Sequence, residues 1–181
     1  MEKVKEVPYG VADFVTVMEQ NLYYVDKTMF IPELEKQPRN LFFIRPRRFG
    51  KSIFLSMLHS YYDCNQSAKF LSLFGNLWIG QHPTELQGKY QVLFLDFSQV
   101  SGNIDSLERN FDFYCSVKLD GFMRRYGEAY SEETREKVRK AEYAMDKLAF
   151  IHDEAAQKGF DAIRKILFDS DGNRRTYELV G

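Results

Sequence analysis

Two kinds of hydrophobic spacing alternate along the chain: short unbroken apolar runs, and stretches in which apolar residues return at helical intervals. In ADFVTVMEQ, Phe14, Val17 and Met18 fall at i, i+3 and i+4, which predicts a short helix. Residues 22–25 are aromatic and β-branched and predict a short strand. Asp26 is placed to cap a helix over KTMFIPELEKQ, with Pro32 in its first turns. The run LFFI at 41–44 has no alternation, the pattern of a strand buried on both faces. Phe54, Met57, Leu58 and Tyr61 then restart the helical spacing and predict a helix over 53–62. A Gly-punctuated connection follows, with a short helix over 68–74. VLFLDF at 92–97 predicts a second buried strand. Ile104, Leu107, Phe111, Tyr114, Cys115, Leu119 and Phe122 trace one long amphipathic helix.

Ser131 sits where an N-cap belongs, with Glu132 and Glu133 in the following turn, where the helix dipole favours acid. Glu133/Lys137 and Glu136/Lys140 have the favourable i,i+4 order and predict a solvated helical face. Nearer the end, Phe160, Ile163 and Leu167 continue a helical stripe, which favours helix over strand. Asp171-Gly172 predicts a turn. Asp169, Asp171 and Asn173 do not make a calcium loop, because Arg174 stands where glycine is required and Val180 where glutamate is required. The order strand, helix, strand, helix, helix predicts an α/β protein with a mainly parallel sheet.

Composition narrows the function classes. Aromatic residues make up 15% of the chain, which points to a bulky core and a partner-facing surface before an aromatic ligand cage. A net charge of −1 supplies no global field toward nucleic acid or an anionic membrane. No apolar stretch approaches the ~20 residues that span a bilayer, and MEKVKEVPYG has no secretory apolar segment. Cys64 and Cys115 form no CxxC pair and read as free thiols in a reducing compartment. His59, His82 and His152 are scattered and predict no zinc site. A cytoplasmic location is expected.

The candidate chemistry lies in LFFIRPRRFGKSIFLSML. A phosphate-binding loop needs inward backbone N–H groups, a lysine for the outer phosphates and a hydroxyl for magnesium, between a strand and a helix N-terminus. Gly50 permits close backbone approach, Lys51 reaches the phosphates and Ser52 binds Mg²⁺. In the spacing GxxxxGK[ST], however, the first glycine falls on Arg45, and Pro46 has no N–H to offer. Arg45, Arg47 and Arg48 are either guanidinium contacts to phosphate or an exposed basic turn.

FFIRPRRFGKSIFLSML resembles the bacterial AAA-ATPase-like family, whose loop reads RPRRFGKS in place of the usual Walker A sequence. PYGVADF, YYVDKT, LFGNLWIG and YQVLFLDFSQV resemble further motifs of that family, in order, over residues 7–126. The resemblance implies a P-loop NTPase-like three-layer fold with a mainly parallel sheet, present as an N-terminal portion. It implies one domain over 1–181, with 1–40 as an N-terminal extension, 41–126 as nucleotide-binding core and 127–181 as a helical segment. It also implies ATP and Mg²⁺ as ligands of Arg45, Arg47, Arg48, Phe49, Gly50, Lys51 and Ser52, the last holding the metal.

Hydrolysis needs an acidic residue at the end of a buried strand and a base for the attacking water. Asp96, ending VLFLD, is one candidate for the metal-side acid. The family's own acidic strand, a DEYD-like sequence, is expected near position 160 or beyond. KILFDSDGN with Asp169 is the nearest match, and it has serine where glutamate is needed. Full-length relatives often continue into a PD-(D/E)XK nuclease-like domain, for which this chain has no room. Nucleotide binding is therefore expected, and turnover, if any, needs a base from a partner or from further sequence. The alternatives are a non-catalytic interaction module, self-associating or partner-binding, and single-stranded nucleic-acid binding through Arg45, Arg47, Arg48, Arg124 and Arg125.

Overall fold

A computed structural model describes residues 4–38, 40–44, 46, 49–158 and 165–168. The three-layer α/β fold with a mainly parallel sheet is not what it contains. Helices dominate the described residues, and the strands among them are two four-residue pieces, Asn40–Phe43 (β1) and Lys165–Phe168 (β2). They pair in parallel, with Asn40 opposite Lys165 and Phe43 opposite Phe168. β2 replaces the helix that the stripe through Leu167 predicts. β1 is less enclosed than its sequence predicts, for Leu41 and Phe43 are half-buried and Ile44 is exposed.

The chain divides into two compact units. One runs to Tyr90 and takes in β2; the other begins at Gln91. In the first, helix Phe14–Glu19 (α1) starts at Asp13, whose carboxylate accepts from the Thr16 N–H at 2.8 Å. Residues 22–25 form no strand. The Tyr23 N–H donates to the Glu6 carbonyl, and Tyr24 turns inward against Phe14. The single helix expected over KTMFIPELEKQ is a 3-10 turn, Thr28–Phe30, running into Ile31–Glu35 (α2), with Pro32 in the first turn as predicted.

Helix Lys51–Tyr62 (α3) buries Phe54, Met57, Leu58 and Tyr61, the face predicted from their spacing, and Tyr62 as well. A 3-10 turn, Cys64–Lys69, leads into Phe70–Phe74 (α4), and Trp78–Gln81 forms a further short helix (α5). The core is aromatic. Phe74 packs against Phe14 and Tyr61 at centroid distances of 4.9 and 5.5 Å. The unit's aromatic residues are not all in that core, for Tyr9, Tyr23, Phe30, Phe49 and Trp78 are exposed.

In the second unit, residues 92–96 join no ladder and Phe97 opens a 3-10 turn, and this explains much of the missing sheet. Three backbone groups of that segment are bonded instead by side chains of the long helix Ile104–Tyr126 (α6). Val92 N–H donates to the Tyr126 hydroxyl, Arg125 donates to the Val92 carbonyl, and Asp96 N–H donates to the Tyr114 hydroxyl at 2.6 Å. A strand needs its backbone partners from another strand. Here the tyrosines of α6 supply them.

Ser131 caps Glu132–Lys140 (α7) as predicted, and the pairs Lys137–Glu133 and Lys140–Glu136 form at 2.7 and 2.8 Å. The helical stretch then breaks at Ala141 and restarts as Ala144–Gln157 (α8). The restart is imposed by tertiary contacts: Asp112 of α6 accepts from the Ala144 N–H at 2.9 Å, and buried Lys147 pairs with Asp120 at 2.7 Å. No described helix is long and apolar enough to cross a membrane.

Candidate functional site

The start of α3 is the site that the sequence marks. Gly50 stands before it with φ 75° and ψ 25°, the left-handed conformation that glycine adopts without steric cost. Lys51 and Ser52 occupy the first turn. The Phe54 N–H bonds the Gly50 carbonyl at 3.1 Å, so helical bonding begins at the glycine. Gly50, in the N-cap position, has no side chain to cap this terminus, and the first turn holds no acidic residue. A helix start carries outward N–H groups and a partial positive charge, which suit an anion. Phe49 and Ser52 are exposed and Lys51 is half-buried.

The rest of α3 is anchored by the N-terminal motifs. Asp13 and Phe14, from PYGVADF, clasp Ser56: the Phe14 N–H donates to Ser56 Oγ, which donates to Asp13 Oδ1, both at 2.9 Å. At the far end, the carbonyls of Tyr61 and Tyr62 accept from the N–H groups of Gly88 and Tyr90 at 3.0 and 2.9 Å. The helix is thus held at its middle and at its far end.

YYVDKT meets LFGNLWIG beside that start. Asp26 accepts from the Thr28 N–H and hydroxyl at 2.8 and 2.7 Å, and from the Trp78 N–H at 2.7 Å. Thr28, fully buried, accepts from the Ile79 N–H at 3.1 Å. Asp26 therefore caps two helical starts, its own 3-10 turn and α5. Between these two anchored residues stands Lys27. Its ammonium would lie 3.6 Å from a Cβ added at Gly50. Lys27, Gly50 and Phe54 wall two clefts, one completed by Phe30, Glu33 and Phe43, the other by Pro8, Tyr23 and Tyr24. Sequence reasoning missed Lys27, although it lies inside a quoted motif.

Of the predicted loop residues, Phe49, Gly50, Lys51 and Ser52 are gathered at this helix start. Arg45, Arg47 and Arg48 lie outside the described residues, as does Asp169, which follows β2 in sequence. Asp96 belongs to the second unit. Its carboxylate caps the 3-10 turn Phe97–Gln99, accepting from the N–H and hydroxyl of Ser98 and from the Gln99 amide. The Ser98 bond foremost holds its carboxyl below the usual range. Among the described residues, no three His, Cys, Asp or Glu side chains cluster as a metal site.

Residues 8–166 match a family model described as a predicted AAA-ATPase. A protein described as an uncharacterised protein in the vnfD 5′ region of Azotobacter chroococcum mcd 1 is 43% identical over 63 residues, which cover 34% of this chain. The matched segment is only 12% of that relative's length. No solved structure matches.

Proposed function

Because this chain belongs to the AAA-ATPase-like family, a family of predicted AAA-ATPases, we propose that it binds ATP with Mg²⁺ at the start of α3. The observation that carries this reading is the geometry of Gly50: a left-handed glycine opening an uncapped, acid-free helix start onto which Lys51 and Ser52 follow. Lys51 engages the outer phosphates and Ser52 presents its hydroxyl to the magnesium. The metal, when bound with nucleotide, supplies charge neutralisation. Arg45, Arg47 and Arg48 add guanidinium contacts. Asp96, which caps its own 3-10 turn, takes no part in this reading.

Calorimetric titration of Mg-ATP into wild type and Lys51→Ala tests the reading. Binding is expected in the wild type and lost in the variant, with the thermal midpoint of the unliganded protein unchanged. Equal affinity in the two proteins would reject it. A second reading, a protein-interaction module, draws on the exposed apolar residues Phe113 and Val117 of α6. It predicts concentration-dependent self-association that Phe113→Ser abolishes.

A further inference from the structure

We infer that Lys27 is a second phosphate-contacting cation of the nucleotide site, delivered by the YYVDKT segment to the side of Gly50 at the start of α3. The inference rests on the nucleotide reading and adds a residue to which no role has been attached. Three observations carry it.

The first is proximity. The Lys27 ammonium comes so close to the α3 start that a methyl group on Gly50 would touch it at 3.6 Å. An anion received by the helix start is therefore within reach of this ammonium. The second is charge. Among the described residues, Lys27 makes no side-chain hydrogen bond or ion pair, unlike Lys36, Lys69, Lys137, Lys140, Lys147 and Lys158. The first turn of α3 holds no acid, and an ammonium beside the positive end of a helix adds to the field that attracts an anion. The third is fixation. The residues on either side of Lys27 are bound to the start of α5, through Asp26 to Trp78 and through Thr28 to Ile79. The backbone carrying the lysine is thus ordered before any ligand arrives, which lowers the entropy lost on binding.

The division of labour within the motif follows. Asp26 and Thr28 build the fold, and Lys27 faces the ligand. A lysine suits this position because its compact charge on a flexible stem can follow a phosphate without fixed bidentate geometry.

The test is calorimetric titration of Mg-ATP, ADP and adenosine into wild type, Lys27→Ala, Lys27→Arg, Lys51→Ala and Thr28→Ala, with the unliganded thermal midpoint of each. Lys27→Ala is expected to weaken ATP binding by about 10- to 100-fold, the factor associated with one charge-assisted hydrogen bond. Its midpoint should stay at the wild-type value, and Lys27→Arg should recover most of the affinity. Thr28→Ala should lower the midpoint, which separates folding from ligand contact. Unchanged ATP affinity in Lys27→Ala, with Lys51→Ala blind to nucleotide, overturns the inference and leaves the nucleotide reading standing. A midpoint in Lys27→Ala as low as that of Thr28→Ala also overturns it, since the lysine would then act through the fold. Wild type that binds none of the three ligands removes the nucleotide reading, and the inference with it.

Discussion

The starts of α3 and α7 solve the same problem in opposite ways. Every helix begins with backbone N–H groups that no earlier turn can accept. At α7, Ser131 accepts from the Thr134 N–H, Glu132 and Glu133 fill the first turn, and Glu154 of α8 accepts from both the Ser131 N–H and its hydroxyl at 2.8 Å. At α3, glycine replaces the capping side chain, no acid enters the first turn, and lysines stand nearby at 51 and 27. The first terminus is closed by the protein's own carboxylates. At the second, glycine stands in the capping position and the first turn carries a lysine in place of an acid. The difference shows that a helix start becomes a binding site through what is withheld from it as much as through what is placed there.

The largest effect is expected from closing the open terminus. Ser52→Asp puts a carboxylate in the first turn of α3, where it should raise unliganded stability by about 0.3–1 kcal/mol through the helix dipole. The same charge should abolish Mg-ATP binding by occupying and repelling the anion's place. Opposite signs in the thermal midpoint and in calorimetric affinity would sharpen the contrast. Retained affinity would break it.

Opening the closed terminus is expected to act on stability alone. Glu154→Ala removes the acceptor for two Ser131 donors and the partner of Lys158, and should cost about 1–3 kcal/mol in denaturant unfolding. Nucleotide affinity should not change. The same carboxylate gives a pH signature. Its bonds, with Lys158 first among them, lower its pKa to about 2 from the ordinary 4.5. A depressed carboxylate contributes stability that is whole above the unfolded-state value and is lost as pH falls toward the folded one. Wild type should therefore lose stability between about pH 4.5 and pH 2 more steeply than Glu154→Gln, as followed by circular dichroism.

The parts legible in the sequence were those set by local rules. The spacing of Phe54, Met57, Leu58 and Tyr61 marks the buried face of α3, and Ser131 with its trailing glutamates marks the start of α7. The sheet was not legible, because VLFLDF has the composition of a strand and its partners are decided elsewhere. Tyr114, Arg125 and Tyr126 take the backbone groups of that segment, and nothing in the spacing of α6 reveals it. The restart at Ala144 is likewise set from a distance, since Asp112 and Asp120 reach α8 from another part of the chain. Within the site, GKS was visible as a motif, while Lys27 was hidden inside a run whose aspartate and threonine carry its structural burden. Proximity to Gly50 exists only after folding.

The smallest effect is expected at Ser131 itself. Ser131→Ala deletes an N-cap, which ordinarily costs about 1 kcal/mol. Its hydroxyl has two jobs here, accepting from the Thr134 N–H and donating to Glu154 Oε2. Removing it leaves the Ser131 N–H bonded to the other oxygen of Glu154, so part of the closure survives. The loss in Ser131→Ala should accordingly be smaller than in Glu154→Ala, and the double variant should lose less than the sum of the two, by at least about 0.5 kcal/mol. Strict additivity in that cycle would mean that the serine and the glutamate act as separate caps, and α7 would then no longer be a terminus closed by one connected set of groups.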